Sequence, residues 1–202
     1  MKKFIAVAGN IGVGKSSMVE FLSQQYGFEP IYEPFMNNPY LDDFYKDMKA
    51  WGFHSQLYFL THKFRLHMAL NTRASTVVQD RTIYEDAEIF ATNLYKGRFM
   101  KKRDYETYME LYSTMKDALQ PPDLMIYLRC SVGAIRKRIT QRGRKSEQEI
   151  PTNYLRRLNG QYEDWIGRYN QSPILVWDSE RMDYLTDLVD RIEFKRQLKQ
   201  FL

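Results

Sequence analysis

The sequence has few of the features that belong to secreted or membrane proteins. Its 202 residues include a single cysteine, Cys130, so no disulfide framework can form and a reducing compartment fits. No apolar run approaches the ~20 residues of a membrane-spanning helix, and the apolar stretch near the N-terminus is too short for a signal peptide. We therefore expect a cytoplasmic protein with no membrane partner, in which Cys130 is a buried structural thiol.

Motifs of nucleic-acid binding are also absent, although the formal net charge is +5. The basic residues cluster within 136–145 and at Arg156-Arg157, not along one stripe, and a phosphate-handling enzyme needs local positive charge as well. We expect no nucleic-acid partner. The three histidines lack the spacing of metal ligands and are expected at structural or surface positions: His54, His62 and His67.

A complete phosphate-binding loop, G-x-x-x-x-G-K-[ST], is present near the N-terminus. It follows the apolar run Phe4–Ala8, a predicted strand, and precedes a predicted helix that begins near Ser17. Its glycines let successive N–H groups point at phosphate oxygens; its lysine reaches the outer phosphates and its serine hydroxyl ligates Mg²⁺. The sequence therefore predicts binding of a nucleoside triphosphate by these residues and Ser17: Gly9, Asn10, Ile11, Gly12, Val13, Gly14, Lys15 and Ser16.

Apolar runs alternate with helical patterns along the chain. Five runs predict strands: Phe4–Ala8, Pro30–Glu33, Ala74–Asp80, Leu124–Leu128 and Ile174–Trp177. Helices are predicted over Tyr40–Met48, from about Gly52 to Asn71, from near Tyr84, and over Asp104–Leu119. This alternation predicts an α/β fold with a five-stranded parallel sheet flanked by helices. Because no linker or repeat divides the chain, we expect a single domain over residues 1–202.

A basic turn interrupts the later helical region. Arg138 and Arg142 are four residues apart, and Arg144 follows Gly143. Three guanidinium groups near one turn can clamp phosphates, whereas an ordinary solvated helix face is the alternative. Because the sequence already predicts a nucleotide site, we interpret residues 138–150 as a short basic lid.

Charged residues end two of the predicted strands, where parallel sheets place their ligands. Asp80 is positioned to hold Mg²⁺ with Ser16; a turn aspartate is the alternative. Arg81 could contact the acceptor or the transferred phosphoryl group. Glu33 precedes Pro34, which fixes the chain direction, so its carboxylate is expected to point off the sheet as a general base. A surface carboxylate is the alternative for Glu33.

The second predicted helix carries polar residues beside its apolar stripe. Gln56 lies next to the stripe, and Lys63 follows two turns along the same side. A glutamine there needs a hydrogen-bond partner, which a nucleobase edge would supply; a core glutamine bonded to the backbone is the alternative. The stripe consists of Phe53, Leu57, Leu60 and Phe64.

Taken in order, these motifs resemble a known family over nearly the whole chain, from about Lys3 to the C-terminus. The family is the deoxynucleoside kinases of the deoxycytidine/deoxyguanosine kinase type, and the resemblance is greatest to the bacterial deoxyadenosine kinases. Besides the phosphate loop, it is carried by Tyr32-Glu33-Pro34, Asn38-Pro39-Tyr40-Leu41 with Phe44-Tyr45, Trp51 and Phe53 before Gln56, Asp80-Arg81-Thr82 with Tyr84 and Asp86, Phe90–Tyr95, and Arg138, Arg142-Gly143-Arg144 and Glu147.

The resemblance implies a P-loop kinase fold and a role for each matching residue. It implies that Glu33 takes the proton of the sugar 5′-hydroxyl and that Arg81 pairs with Glu33 and the phosphoryl group. Asp80 matches an acidic metal-associated residue. The remaining roles follow in the same way: Tyr45 and Glu147 for the sugar 3′-hydroxyl, Gln56 and the pair Asp86–Lys63 for the base, and Arg138, Arg142 and Arg144 for the donor phosphates.

We therefore expect a kinase that uses ATP and Mg²⁺ to phosphorylate a deoxynucleoside, deoxyadenosine before deoxyguanosine or deoxycytidine, and that forms a homodimer as family members commonly do. A lysine at position 63, where the family often has arginine, is a point charge and not a planar fork, which leaves base preference open. The main alternative is a nucleoside monophosphate kinase of the thymidylate type, against which Glu33-Pro34 argues. A GTPase would need an Asn-Lys-x-Asp motif that is absent, and a nucleic-acid-stimulated ATPase is not expected.

Overall fold

A computed structural model describes residues 2–33, 37–70 and 73–202 of the chain. Its strands form one five-stranded sheet in the order β2–β3–β1–β4–β5, and every neighbouring pair is parallel. The predicted α/β class is therefore confirmed. The strands are β1 (Phe4–Ala8), β2 (Glu29–Ile31), β3 (Val77–Asp80), β4 (Leu124–Arg129) and β5 (Ile174–Asp178).

Helices connect the strands and cover the sheet, and a π-helical segment, Asp86–Ala91, joins α4 to α5. Within the residues just given, no helix has both the length and the apolar character needed to cross a membrane. The helices are α1 (Lys15–Tyr26), α2 (Leu41–Lys46), α3 (Met48–Leu70), α4 (Ile83–Glu85), α5 (Thr92–Lys96), α6 (Lys102–Lys116), α7 (Val132–Arg142), α8 (Lys145–Gln148), α9 (Thr152–Arg168) and α10 (Leu188–Leu198).

Strand pairing corrects two predicted strand boundaries. β2 ends at Ile31, and Glu33 lies two residues beyond it, because the edge strand is paired with β3 only from Glu29 to Ile31. β3 begins at Val77 and not at Ala74, because Val77 is the residue that pairs with Phe4 at the start of β1. The effect predicted for Pro34 lies outside the described residues.

Two predicted helices in the first half of the chain have different bounds in the structure, because Asp47 starts a helix. The helix expected over Tyr40–Met48 ends at Lys46, and the next begins at Met48 instead of Gly52. The carboxylate of Asp47 accepts hydrogen bonds from the backbone N–H groups of Lys49 and Ala50, both at 3.0 Å. An aspartate that satisfies these free donors starts a helix. The predicted end of this helix at Asn71 lies outside the described residues.

The sheet order places the end of β1 at the centre of the molecule. The chain leaves β1 toward β2 and β3 on one side, and β4 and β5 lie on the other side. Ligands of such sheets bind beyond the carboxyl ends of the strands where the order reverses. The register pairs Val7 with Asp80, so the last residue of β3 lies beside the start of the phosphate loop.

Candidate active site

Two glycines allow the phosphate loop its shape. Gly9 has φ +145° and Gly12 has φ +78°, values that side chains disfavour. A Cβ at Gly9 would lie 2.9 Å from the carbonyl oxygen of Leu128, and one at Gly12 would lie 2.7 Å from Cγ1 of Ile139. The loop ends at Gly14, which precedes the first turn of α1. Its backbone N–H groups and the start of α1 therefore form a site for phosphates.

Lys15 is held inside this loop. Its ammonium donates to the carbonyl oxygen of Asn10 at 3.0 Å, and burial lowers the pKa of Lys15 to about 8. The Asn10 side chain donates to the carbonyl of Leu155 at 3.0 Å and to Oδ1 of Asn159 at 3.1 Å. Helix α9 thus fixes the curve of the loop, and Lys15 is oriented along it before any phosphate arrives.

Ser16 and Asp80 offer oxygen ligands for a magnesium ion. The Ser16 hydroxyl donates to Oδ2 of Asp80 at 2.6 Å, while the buried Oδ1 of Asp80 has no hydrogen-bond partner among the described residues. Those residues contain no cluster of three or more His, Cys, Asp or Glu side chains that could hold a metal. The unpaired Asp80 oxygen and the Ser16 hydroxyl beside it fit Mg²⁺, which keeps waters and takes phosphate oxygens as its other ligands.

Arg81 follows β3 in a conformation that non-glycine residues rarely adopt, with φ +60°. Such a conformation costs on the order of 1–3 kcal/mol and persists only where neighbours enforce it. Here the Arg81 N–H donates to the carbonyl of Val7 at 3.0 Å, and the Gln79 side chain donates to the Arg81 carbonyl at 3.0 Å. The buried guanidinium lies 4.5 Å from the centre of the Phe90 ring. The turn therefore points Arg81 back over the phosphate loop.

Glu33 is the carboxylate that Arg81 contacts. Nη1 of Arg81 donates to Oε1 and Oε2 of Glu33 at 2.8 and 2.6 Å, and Nζ of Lys63 donates to Oε1 at 2.9 Å. Burial disfavours the Glu33 charge, but the attraction of Arg81, Lys63 and Lys15 outweighs burial and holds its pKa well below the usual range. Glu33 is thus an ionised carboxylate with two cationic partners.

Lys63 also contacts Asp86, at 2.6 Å between Nζ and Oδ1. Burial and the nearby Glu33 charge raise the pKa of Asp86 to about 7, although Lys63 opposes the shift. Two buried acceptors in this region have no hydrogen-bond partner in the described chain: Oδ2 of Asp86 and Oε1 of Gln56. Unpaired buried acceptors of this kind are satisfied by a ligand that donates hydrogen bonds.

The buried face of α3 differs from the predicted apolar stripe. Of that stripe only Leu60 is fully buried; Phe53, Leu57 and Phe64 are partly exposed. The structure also buries Gln56, Lys63 two turns further along and His67 one turn beyond that. The Lys63 charge is tolerated on this face because it is compensated by carboxylates of other elements, Glu33 and Asp86.

One cavity of about 340 Å³ joins these groups to the phosphate loop. It begins at Gly12 and Gly14, passes Lys15 and Asp80, and continues between α2, α3 and the π-helical segment. Aromatic walls flank the polar groups in its deeper part: Phe44, Phe59, Phe90 and Tyr154. The cavity also contains nearly all of the predicted acceptor-side residues, namely Glu33, Tyr45, Gln56, Arg81, Asp86 and Glu147.

The predicted lid arginines divide into two groups. Arg142 pairs with Oε2 of Glu147, and Arg144 lies 3.3 Å from its Oε1, beside the cavity. Arg138 instead donates to the carbonyl of Val13 at 2.8 Å and to the hydroxyl of Ser179 at 3.1 Å. Arg138 and Arg142 both lie on α7, whose C-terminus is capped by Gly143 with φ +71°, and Arg144 follows that glycine. The mobility of the predicted lid and its contacts with phosphates stay predictions.

A residue that was not singled out from the sequence lies directly behind the site. Glu85 is fully buried; its Oε2 accepts from the N–H of Thr82 at 2.9 Å, and its Oε1 accepts from the hydroxyl of Tyr162 at 2.9 Å and the N–H of Gly9 at 3.3 Å. The spacing Thr82-x-x-Glu85 is a capping box that could have drawn attention to it. Glu85 ties α4 to the first residue of the phosphate loop.

The cysteine and the histidines lie away from the reacting groups. Cys130 is buried, and burial raises its pKa, so its reactive thiolate form is disfavoured. Nε2 of the buried His67 lies 2.7 Å from the carbonyl of Gln120. His54 is exposed, and His62 stacks on Tyr58 with 4.1 Å between ring centres.

Comparison with known proteins gives a consistent result. Residues 5–202 match the sequence profile of the family described as deoxynucleoside kinase. A deoxyadenosine/deoxycytidine kinase of Bacillus subtilis is 39% identical over 187 residues, covering 91% of this chain and 85% of the relative. A deoxyguanosine kinase of Lactobacillus johnsonii is 36% identical, covering 96% of this chain and 90% of the relative.

Solved structures agree with these sequence matches. The deoxyadenosine kinase of M. mycoides with bound dATP superposes with a TM-score of 0.85 at 31% identity, covering 98% of this chain and 99% of that one. The same enzyme with the products dCMP and dCDP gives a TM-score of 0.86 at 32% identity, covering 98% and 100%. The P-loop kinase fold implied by the sequence resemblance is therefore confirmed.

With a cavity that runs from a phosphate loop to a polar pocket, the molecule has the architecture of a nucleotide-handling kinase. The chain belongs to the deoxynucleoside kinase family. It is accordingly an enzyme that phosphorylates a deoxynucleoside.

Replacing Lys15 by alanine removes the buried ammonium from the phosphate loop. We expect kcat to fall by at least about a hundred-fold, because one preorganised group that stabilises developing charge contributes roughly that much. The measurement is the rate of ADP formation with a deoxynucleoside as acceptor. Lys102→Ala, which changes an exposed lysine on α6, is the matched control and should keep the parent rate. Equal rates for the two variants would contradict the role of Lys15.

Proposed function

We propose that this kinase transfers the γ-phosphoryl group of ATP to the 5′-hydroxyl of a deoxynucleoside, with deoxyadenosine preferred and deoxyguanosine or deoxycytidine possible. The observation that carries the proposal is the position of Glu33, which lines the same cavity as Lys15 on one side and Gln56 and Asp86 on the other. A hydroxyl placed beside Glu33 would therefore lie between bound phosphates and a bound base. The names of the relatives support this assignment.

Glu33 would accept the proton of the 5′-hydroxyl as its oxygen bonds to the γ-phosphorus. The bond from that phosphorus to the β,γ-bridging oxygen breaks, and ADP leaves with the electron pair. Lys15 and Arg81 stabilise the charge on the phosphoryl oxygens during transfer. Ser16 and Asp80 would hold Mg²⁺, which neutralises phosphate charge when bound.

Acceptors without donors in the deeper pocket favour a base that carries an amino group. Oε1 of Gln56 and Oδ2 of Asp86 both lack a donor in the described part of the chain. Adenine presents an amino donor beside a ring acceptor, a pattern that a glutamine side chain can match with two hydrogen bonds. Thymine presents a carbonyl and a methyl group there, so thymidine is expected to be the poorest substrate.

The remaining sugar and phosphate contacts come from α2 and the lid. Tyr45 lines the cavity with Glu147, and burial raises the pKa of Tyr45, so it stays a neutral hydrogen-bond donor. We assign this pair to the 3′-hydroxyl. Arg142 and Arg144 would turn to the donor phosphates. A second cavity of about 440 Å³, bordered by Gly12, Gly14 and Arg138, gives room for the rest of ATP.

Assembly and location follow from the resemblance and from surface chemistry. We propose one domain over the whole chain and a homodimer joined through helices. The dimer is supported by partly exposed apolar residues on α3, which a second copy could cover: Phe53, Leu57, Phe64 and Met68. A cytoplasmic location and the absence of a nucleic-acid partner remain predictions from the single cysteine and the missing motifs.

A substrate panel tests the function directly. With ATP as donor, we expect kcat/KM to be highest for deoxyadenosine and lowest for thymidine among the four deoxynucleosides. Thymidine monophosphate, the acceptor of the alternative kinase class, is expected to give no turnover, because Glu33 would repel a phosphate. Faster turnover of the monophosphate than of every deoxynucleoside would contradict the proposal.

Glu33→Gln keeps the shape of the side chain but removes its ability to accept a proton. We expect kcat to fall by about 10²–10⁴-fold, the usual contribution of a general base, with little change in deoxyadenosine affinity measured calorimetrically. Glu106→Gln, on an exposed side chain of α6, is the matched control. Retention of more than about half of the parent kcat would show that Glu33 is not the base, given that even a weak base contributes far more than twofold.

The 3′-hydroxyl assignment is tested with a substrate that lacks this group. Because a buried carboxylate loses a charge-assisted hydrogen bond, kcat/KM for 2′,3′-dideoxyadenosine should be roughly a hundred-fold below that for deoxyadenosine. Glu147→Gln should reduce the ratio of kcat/KM for deoxyadenosine to kcat/KM for 2′,3′-dideoxyadenosine. Equal values for the two substrates in the parent enzyme would remove the assignment.

A further inference from the structure

Lys63 connects two carboxylates that belong to different parts of the proposed reaction. Its Nζ lies 2.9 Å from Oε1 of Glu33 and 2.6 Å from Oδ1 of Asp86. The side chain is 1% exposed, and its ammonium lies 5.4 Å from the centre of the Phe59 ring. Water therefore does not screen either contact, and a change at one carboxylate is felt at the other.

The two cations on Glu33 create a problem for catalysis. A general base works best when its pKa is close to the working pH. The neighbouring cations hold the pKa of Glu33 far below that pH. Arg81 has another role once phosphates bind, whereas the described residues offer Lys63 no anion other than Glu33 and Asp86. Charged or titratable groups that face Glu33 or line its cavity come from every element around it: Tyr32 after β2, Arg81 after β3, Lys15 and Asp80 at the phosphate loop, Lys63 on α3, Asp86 in the π-helical segment, Tyr45 on α2, Tyr154 on α9, and Arg142, Arg144 and Glu147 of the lid.

We propose that Lys63 is a positioning residue whose ammonium is divided between Glu33 and Asp86, so that a base with an amino group in the pocket draws Lys63 toward Asp86 and frees Glu33 to accept the 5′-hydroxyl proton. This inference rests on the proposed function, because it takes Glu33 as the base. It adds that the nucleobase controls the rate of phosphoryl transfer in addition to the affinity of the substrate.

The direction of the effect follows from Asp86. Its pKa of about 7 means that the free site exchanges this proton near neutral pH. An amino group that donates to Oδ2 of Asp86 stabilises the ionised carboxylate, which then attracts Lys63 more strongly. A base that presents an acceptor there instead favours protonated Asp86, and Lys63 then stays with Glu33. A substrate whose nucleobase carries an amino group therefore meets a more basic Glu33 carboxylate than a substrate that presents an acceptor there.

The test in the parent enzyme compares deoxyadenosine with purine 2′-deoxyriboside, which differs only by the missing amino group. At saturating substrate, kcat should be lower for the analogue by about three-fold or more, because a shift of one or more units in the pKa of Glu33 changes the rate through a Brønsted slope below one. An equal kcat with a raised KM would overturn the proposal, since the amino group would then contribute to binding alone.

Variants test the charge of Lys63. In Lys63→Gln/Asp86→Asn the neutral pair can still form a hydrogen bond, and no buried charge is stranded. With purine 2′-deoxyriboside as substrate, the pH at which kcat falls on acidification should rise by about one unit or more relative to the parent, because the parent then keeps Lys63 on Glu33 and the variant has lost this cation. The kcat difference between deoxyadenosine and its analogue should also disappear. Asp86→Asn alone keeps Lys63 on Glu33 and should show no such rise, and Lys63→Arg should restore the parent profile.

The outcomes separate this inference from the function on which it rests. If the double variant and Asp86→Asn raise KM equally and leave the acid limb of kcat unchanged, Lys63 only shapes the base pocket and the inference is wrong. If the parent phosphorylates no deoxynucleoside, or Glu33→Gln keeps its kcat, the proposed function itself is wrong. Circular dichroism and ATP affinity establish that each variant is folded before its kinetics are compared.

Discussion

The buried guanidinium of Arg81 is the group on which the other parts of the site depend. It contacts both oxygens of Glu33, approaches the carbonyl of Gly9 at 3.4 Å and lies over the ring of Phe90. A buried charge is tolerated only when it is paired and hydrogen-bonded, so these contacts must form together. They bring the phosphate loop, the segment after β2 and the π-helical segment to one point.

From that point the charges continue in two directions. Toward the phosphate loop lie Lys15 and the pair of oxygens on Ser16 and Asp80, which fit a nucleotide and its metal. Toward α3 lie Lys63 and Asp86, which reach the pocket assigned to the base. Glu33 lies between these two sets of charges. This arrangement matches a reaction in which the 5′-hydroxyl must reach a phosphoryl group while the nucleobase of the same substrate is recognised. The π-helical segment contributes Asp86, as such segments often contribute residues to functional sites.

The parts of the site that are local in sequence could be predicted from the residues. The distant pairings Arg81–Glu33 and Asp86–Lys63 were implied by the family resemblance and are present, whereas the contact of Lys63 with Glu33 was not expected. The phosphate loop follows from residues 9–16 alone, and the position of Asp80 and Arg81 beside it follows from the rule for parallel sheets. The contact of Lys63 with Glu33 joins residues that are 30 positions apart and needed the packing of α3 against the segment after β2. The burial of Lys63 on α3 has the same origin, since its charge is compensated by carboxylates outside the helix.

Two further features of the structure differ from what the sequence analysis expected or named. Arg138 was grouped with Arg142 and Arg144 by spacing, but its guanidinium donates to the carbonyl of Val13, whereas Arg142 and Arg144 pair with Glu147. Glu85 was not singled out, although its spacing from Thr82 is that of a capping box, and its other oxygen reaches Gly9, 76 positions earlier in the chain. In both cases the tertiary structure decides which of a side chain's available partners it uses.

The central claim is that one cavity aligns a deoxynucleoside hydroxyl between Glu33 and the phosphate loop. A crystal structure of the enzyme with deoxyadenosine, Mg²⁺ and a non-hydrolysable ATP analogue measures this alignment directly. The account predicts the 5′-oxygen within about 2.6–3.2 Å of a Glu33 oxygen, the range expected for a general base, with the adenine amino group on Gln56 and Asp86 and the outer phosphates on Lys15. A deoxynucleoside bound with its 5′-hydroxyl turned away from Glu33, or bound outside this cavity, would contradict it.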